Sequence, residues 1–134
     1  MRIVLLDDCK PLAGMTVLMV DDDEIVGDVI KEVLSPVVSA LDVVGNGTEA
    51  LACIAERDYD VILLDIEMPG MNGMEFFKHL NNLMPRLAGR VIFITGDTET
   101  PSTRTFILES GCRHLDKPFM IKELVRVMTD TGTL

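Results

Sequence analysis

Polar side chains that stand directly after the apolar runs of this sequence are the residues most able to do chemistry together. Asp21 and Asp22 follow one apolar run, Asp65 and Thr95 follow two later ones, and Lys117 follows the short predicted strand 113–116. Carboxylates that meet at one place repel one another, and a divalent cation relieves that repulsion. Oxygen ligands and an octahedral shell completed by water suit Mg²⁺ or Mn²⁺. We therefore expect a hard-metal site built from these aspartates.

A lysine and a hydroxyl beside such a cation indicate phosphoryl transfer, because that chemistry mainly requires positioning and positive charge around the transferring oxygens. Asp65 is the candidate nucleophile, since it directly follows the predicted strand 60–64, which is the most continuously apolar of the strands. The alternative for any one of these aspartates is that it caps the helix that follows it. Polar residues at the ends of four predicted strands favour a shared site.

The strands and helices that must position these side chains can be predicted from the alternation of apolar patterns along the sequence. Short apolar runs alternate with segments of helical periodicity, which is typical of strand and helix units around a parallel sheet. The predicted strands are 17–20, 37–44, 60–64, 91–94 and 113–116, and the predicted helices are 24–34, 48–57, 74–84, 101–110 and 121–128. We expect Thr48 to cap the second helix and Pro85 to mark the end of the third. We predict an α/β fold, a doubly wound five-stranded parallel sheet with helices on both faces. Ligands bind beyond the carboxyl ends of the strands in such sheets.

Composition excludes several classes of protein. The chain has 134 residues, with 12 Lys plus Arg against 22 Asp plus Glu, and a net charge of −10. That charge repels a phosphate backbone, so we expect no direct binding of nucleic acid. The apolar runs are far shorter than the ~20 residues of a membrane span. With no signal-peptide pattern, we expect a cytoplasmic location and no membrane contact.

The start of the domain has two candidates. The sequence IVLLDD at 3–8 resembles VLMVDD at 17–22, and either could be the opening strand. A helix pattern follows the second copy at once, whereas Lys10, Pro11 and Gly14 interrupt the chain after the first. We therefore predict an N-terminal extension of unknown role at 1–14, a single domain at 15–130 and a tail at 131–134.

Four motifs together resemble the receiver domain of two-component response regulators, including the chemotaxis regulators. They are VDDDE at 20–24, LLDIEMPGMNG at 63–73, ITGD at 94–97 and DKPF at 116–119. The resemblance covers about residues 15–130 and implies a flavodoxin-like fold. It also implies that Asp65 is the phosphoacceptor and one of the metal ligands. The phosphoryl donor would be a sensor histidine kinase or a phosphotransfer protein.

The same resemblance assigns roles around the phosphoacceptor. Asp22 would bind Mg²⁺ (or Mn²⁺) directly, Asp21 would assist largely through water, and the backbone carbonyl of Glu67 would complete the protein ligands. Thr95 and Lys117 would bond the phosphoryl oxygens. The lysine–proline peptide that follows would be cis, which a tertiary amide makes accessible.

Three positions depart from the family pattern or extend it. His114 stands where the family usually has a Tyr or Phe that rotates with Thr95. It is either such a switch residue or a partly exposed strand residue, and a switch that responds to protonation of the imidazole is a third alternative. Glu67 and Asp97 lie two residues beyond Asp65 and Thr95. We hypothesise that these acids alter hydrolysis of the acyl phosphate; the alternative is two solvated loop acids.

The predicted module signals by binding and catalyses only its own phosphorylation and dephosphorylation. By the resemblance, a downstream protein or a second copy would contact the face formed by the predicted fourth helix, fifth strand and fifth helix. Two other functions stay open: a phosphatase of the haloacid dehalogenase type, and an unphosphorylated pseudo-receiver scaffold. The order of the acids argues against the phosphatase, since in that family the nucleophile precedes the acidic pair. The sequence leaves open whether the chain is free-standing or a fragment.

Overall fold

A five-stranded parallel sheet forms the centre of the computed structural model, which describes residues 10–68, 70–96 and 99–132. The strands are β1 (Thr16–Val20), β2 (Ala40–Val44), β3 (Val61–Asp65), β4 (Val91–Thr95) and β5 (Arg113–Asp116). The helices are α1 (Glu24–Leu34), α2 (Gly47–Glu56), α3 (Gly73–Leu83), the short α4 (Pro85–Ala88), α5 (Pro101–Ser110) and α6 (Ile121–Gly132). Within the described ranges, no helix is long and apolar enough to cross a bilayer.

Strand order places the expected site at the point where the chain reverses direction across the sheet. The order is β2-β1-β3-β4-β5, so β1 and β3 are neighbours although β2 separates them in sequence. Val20 pairs with Leu64 in the β1–β3 register. The residues that follow these two strands therefore emerge side by side, at a topological switch point where open α/β sheets bind their ligands. The predicted doubly wound fold is confirmed.

Both faces of the sheet are covered, which explains why the central strands are continuously apolar. Alternate residues of β3 enter two separate clusters: Ile62 and Leu64 pack on one face, and Val61 and Leu63 on the other. Every residue of β3 and β4 is buried. The two strands that carry Asp65 and Thr95 are thus held rigidly on both sides.

The end of the sheet opposite the expected site is closed by a hydrogen-bonded tyrosine. Tyr59 is buried, and its hydroxyl donates to Oδ2 of Asp42 at 2.6 Å. Arg57 donates to the same oxygen at 2.9 Å. Arg90 donates to the backbone carbonyl of Tyr59, also at 2.9 Å. These bonds link the middle of β2 to the segments that directly precede β3 and β4.

Several predicted boundaries are wrong, each for a local reason. The second strand begins at Ala40 and not at 37, because the backbone N–H groups of Val37 and Val38 both donate to the carbonyl of Leu34. Thr48 does not cap α2; the side chain of Asn46 does, accepting from Glu49 N at 2.9 Å. Asparagine leads threonine at this position because its oxygen reaches the free N–H groups readily.

Two helical segments were missed at the ends of predicted helices. Pro85 ends the third helix as predicted but also opens the short α4, because proline suits the first helical turn. The last helix runs to Gly132, four residues past the predicted end at 128, and Thr131 is buried. The boundary at residue 131 falls inside this helix.

Part of the predicted N-terminal extension packs against the domain. A 3-10 turn spans Lys10–Leu12, and Leu12 is fully buried in the same cluster as Val17 and Met128. The division at residue 15 stays a prediction. Positions 1–9, which include the IVLLDD motif, and Pro69 and Asp97 lie outside the described residues.

Candidate functional site

Three carboxylates converge at the carboxyl edge of the sheet. One carboxylate oxygen each from Asp21, Asp22 and Asp65 lies within 4.8 Å of the others, a grouping that could hold a metal ion. Asp65 is the last residue of β3, and Asp21 directly follows β1 on the neighbouring strand. Asp21 and Asp65 are buried, whereas Asp22 is exposed. The acids predicted to share a site therefore do so, and one of them is open to solvent.

Lys117 supplies positive charge at this edge. Its Nζ lies 3.3 Å from Oδ2 of Asp21 and 3.6 Å from Oδ2 of Asp65. The backbone N–H of Lys117 donates to the carbonyl of Thr95 at 2.8 Å, and the Lys117–Pro118 peptide is cis, as predicted. Burial alone would lower the pKa of Lys117, but the charges of Asp65 and Asp21 raise it above its ordinary value. The ammonium group thus stays protonated between the two acids.

The pKa of Asp65 is raised by its surroundings. Burial and the negative charge of Asp21 raise the pKa of Asp65 to about 7, although Lys117 and the backbone N–H of Glu67 act in the opposite direction. That N–H donates to Oδ1 of Asp65 at 3.1 Å. Close to neutral pH, a proton and an added cation therefore compete for the carboxyl oxygens of Asp65. Perturbed acids of this kind are typical of functional sites.

Thr95 and Glu67 contact each other beside the acids. The Thr95 hydroxyl, at the buried end of β4, donates to Oε1 of Glu67. The carboxylate of Glu67 is not one of the grouped metal-binding acids. Its predicted role concerned the backbone carbonyl and stays a prediction. The sequence analysis missed the contact, although the β3–β4 pairing places the two strand ends next to each other.

Asp23, the third acid of the VDDDE motif, caps a helix. Its side chain accepts from Ile25 N at 3.0 Å and Val26 N at 3.4 Å, at the start of α1. Its own N–H donates to Oδ1 of Asp21 at 2.9 Å. The capping alternative is therefore right for Asp23, and this cap fixes the direction in which the chain leaves the site.

Gly73 allows α3 to start directly against the β3 end. A Cβ atom at this position would lie 2.4 Å from the carbonyl oxygen of Asp65 and 2.8 Å from Cα of Ile66. The backbone N–H of Gly73 donates to the carbonyl of Ile66 at 3.1 Å. Only a residue without a side chain fits this approach, so Gly73 helps to set the position of Asp65.

His114 lies away from the acids on the surface of β5. Its side chain is 43% exposed, and Nε2 lies 3.5 Å from Oδ1 of Asp116. The two residues line a cavity of about 220 Å³ with Arg104, Ile107 and Leu108 of α5. The proposed rotation of His114 with Thr95 stays a prediction.

Comparison with known proteins identifies the family. The sequence model of the response regulator receiver domain matches residues 17–129, which include all the residues of this site. The chain belongs to the response regulator receiver domain family. This receiver domain therefore comes from a family of signalling domains, and the match does not favour the haloacid dehalogenase alternative.

Three relatives illustrate the similarity. The receiver domain is 32% identical over 112 residues to the DNA-binding transcriptional regulator NtrC of Salmonella typhimurium, with 84% of this chain and 24% of NtrC covered. It thus spans about a quarter of that protein. The Francisella response regulator 1452 receiver domain has a TM-score of 0.77 at 29% identity, covering 90% of this chain and 98% of that one.

The third relative is a solved structure that holds a magnesium ion in its own active-site cleft. The receiver domain of sensor histidine kinase PA1611 from Pseudomonas aeruginosa, with magnesium coordinated in its active-site cleft, has a TM-score of 0.77 at 25% identity. The similarity covers 91% of this chain and all of that one. Receiver domains of this fold thus occur both in regulators and in kinases.

Proposed function

We propose that Asp65 accepts a phosphoryl group from the phosphohistidine of a sensor kinase or phosphotransfer protein, with Mg²⁺ (or Mn²⁺) bound beside it. The observation that carries this proposal is the convergence of the Asp21, Asp22 and Asp65 carboxylates within 4.8 Å, with the Lys117 ammonium 3.6 Å from Asp65. All-oxygen donors that carry net negative charge fit a hard divalent ion. Asp21, Asp22, Asp65 and the backbone carbonyl of Glu67 would hold it.

The transfer itself follows from the charges that surround Asp65. Its carboxylate oxygen attacks phosphorus, an O–P bond forms, and the P–N bond breaks with its electron pair left on the donor imidazole. Lys117 and the hydroxyl of Thr95 contact the phosphoryl oxygens. A divalent cation held by the grouped acids would supply further positive charge to those oxygens. Burial of Asp65 limits the water that competes with the donor.

Phosphorylation changes which partners the domain binds. The face formed by α5, β5 and α6, the last of which begins at Ile121, presents Leu108 with 75% of its surface exposed and the half-exposed His114. We assign this face to a downstream protein or to a second copy of the chain. The net charge of −10 argues against direct contact with nucleic acid. The domain works in the cytoplasm as a switch and modifies no substrate other than itself.

Incubation with acetyl phosphate and Mg²⁺ tests the proposal. Intact-mass measurement should show the gain of one phosphoryl group, and the gain should disappear in Asp65→Asn. Asp23→Asn is the matched control, because Asp23 lies beside the site but caps α1, and it should be modified normally. Absence of modification in the wild-type protein would favour the scaffold function. Turnover of assorted phosphoesters would favour the phosphatase.

A further inference from the structure

The contact between Glu67 and Thr95 connects two residues on either side of Asp65. The hydroxyl of Thr95 donates to Oε1 of Glu67. The backbone N–H of the same glutamate donates to Oδ1 of Asp65 at 3.1 Å. Glu67 therefore contacts both the residue proposed to be phosphorylated and the hydroxyl proposed to contact the phosphoryl group.

The hydrogen bond that the Thr95 hydroxyl donates to Glu67 and the one proposed to a phosphoryl oxygen exclude each other. A hydroxyl group has one proton to donate, so Thr95 can donate either to Glu67 or to a phosphoryl oxygen on Asp65. The carboxylate of Glu67 also repels a phosphoryl group that carries negative charge. Since Glu67 is exposed, its side chain can turn into solvent when that bond breaks.

We propose that Glu67 is a positioning residue that acts through Thr95. It holds the hydroxyl in the unphosphorylated protein and releases it when a phosphoryl group occupies Asp65. The proton stays on Oγ1 of Thr95 throughout, and only its acceptor changes. The contact between Glu67 and Thr95 therefore stabilises the unphosphorylated state and opposes the change that phosphorylation causes. This inference rests on the proposed function and adds to it a contact that competes with the bond from Thr95 to the phosphoryl group.

Beryllofluoride, a stable mimic of the phosphoryl group, provides the test in the presence of Mg²⁺. Its apparent affinity, measured from the ¹⁹F resonance of the bound form, should increase by about three- to tenfold in Glu67→Ala, since a net hydrogen bond is worth roughly 0.5–1.5 kcal/mol. In a Thr95→Val background the same Glu67→Ala change should give a clearly smaller gain, because only the loss of the Glu67 charge remains and no hydroxyl is left to release. An equal gain in both backgrounds would assign the effect to charge alone and overturn the proposal.

Glu24→Gln is the matched control for loss of one negative charge near the acids. Glu24 lies in the first turn of α1 and lines the cavity that contains Asp21 and Asp22, so its neutralisation should not reproduce the Glu67→Ala gain. If it did, the proposal would be wrong. Should Thr95→Val fail to fold, as judged by circular dichroism, Thr95→Ala takes its place in the comparison.

A spectroscopic readout separates positioning from a general loss of structure. In the ligand-free protein, Glu67→Ala should move the methyl resonance of Thr95 toward its beryllofluoride-bound position, and Glu24→Gln should leave it in place. An unmoved resonance would contradict the proposal. If the wild-type protein binds no beryllofluoride and gains no phosphoryl mass, the proposed function itself fails. If it does both and the two backgrounds respond equally, only the role of Glu67 fails.

Discussion

The ammonium nitrogen of Lys117 lies 3.6 Å from Oδ2 of Asp65 although the strands that carry them are not neighbours. β4 lies between β3 and β5, and the lysine reaches past its end. The hydrogen bond from the backbone N–H of Lys117 to the carbonyl of Thr95 holds the lysine backbone at the end of β4. The phosphoacceptor proposal thus depends on three adjacent strands that end at one level.

The stability of the metal-free protein should fall as the pH rises from about 4 to about 7. The pKa of Asp65 is raised to about 7, so in this window the folded state binds more protons at this residue than the unfolded state does. The contribution of Asp65 to the free energy of unfolding therefore decreases with pH, by about 2–4 kcal/mol across the window. Urea denaturation in EDTA at several pH values measures it.

Asp65→Asn should remove this component, since an amide does not titrate. The difference in unfolding free energy between wild type and Asp65→Asn should therefore change across the window. Asp28→Asn, which neutralises an exposed acid of α1, is the control and should leave the pH dependence unchanged. Parallel wild-type and Asp65→Asn profiles would contradict the raised pKa.

Magnesium should stabilise the folded domain through the three grouped acids. An ion that binds only the folded state adds about 2.7 kcal/mol when its concentration is 100 times the dissociation constant. Asp22→Ala should abolish the resulting rise in melting temperature, whereas Glu24→Gln should retain it. The rise should be larger at pH 8 than at pH 6, because at the lower pH a proton competes with the ion for Asp65. A rise independent of Asp22 would place the ion elsewhere.

Gly73→Ala should impair phosphorylation and stability together. Its new Cβ would lie 2.4 Å from the carbonyl oxygen of Asp65, so either α3 or the β3 end must move. We expect a loss of about 1–3 kcal/mol in unfolding free energy, the usual cost of overpacking, with slower modification by acetyl phosphate. Gly89→Ala meets nothing closer than 3.5 Å and should behave like wild type in both assays.

Leu12→Ala tests whether the segment before residue 15 belongs to the domain. Leu12 is fully buried in the same cluster as Met128 of α6, so its truncation should cost about 2–5 kcal/mol of unfolding free energy. Leu83→Ala makes the same change at a side chain that is 69% exposed and should cost little. Equal small effects would support a boundary at residue 15.

The sequence predicted the sheet and its acidic edge because both depend on local signals that agree. Continuous apolar runs such as 61–64 are typical of central parallel strands, and parallel strands bring their carboxyl ends to one edge. This was enough to place Asp21, Asp65 and Lys117 together. The resemblance to receiver domains added the individual roles.

Features that depend on side-chain direction were beyond the sequence. Capping by Asn46 in place of Thr48 depends on which oxygen reaches the free N–H groups. The pairing of Glu67 with Thr95 depends on the direction in which an exposed loop residue turns. The burial of Leu12 depends on a turn that brings it under α6, and no periodic pattern indicates such a turn.

The position of Tyr59 determines what the intrinsic fluorescence of the protein reports. The sequence has no tryptophan and one tyrosine, so near-ultraviolet emission arises from this ring. Tyr59 precedes Asp65 by six residues, so their Cα atoms lie roughly 20 Å apart along the direction of β3 at about 3.3 Å per residue. The phenol hydroxyl is bonded to Asp42 and breaks free when the sheet unravels. Intrinsic fluorescence therefore monitors global denaturation. An extrinsic dye near the carboxyl edge of the sheet is needed to detect ligand binding.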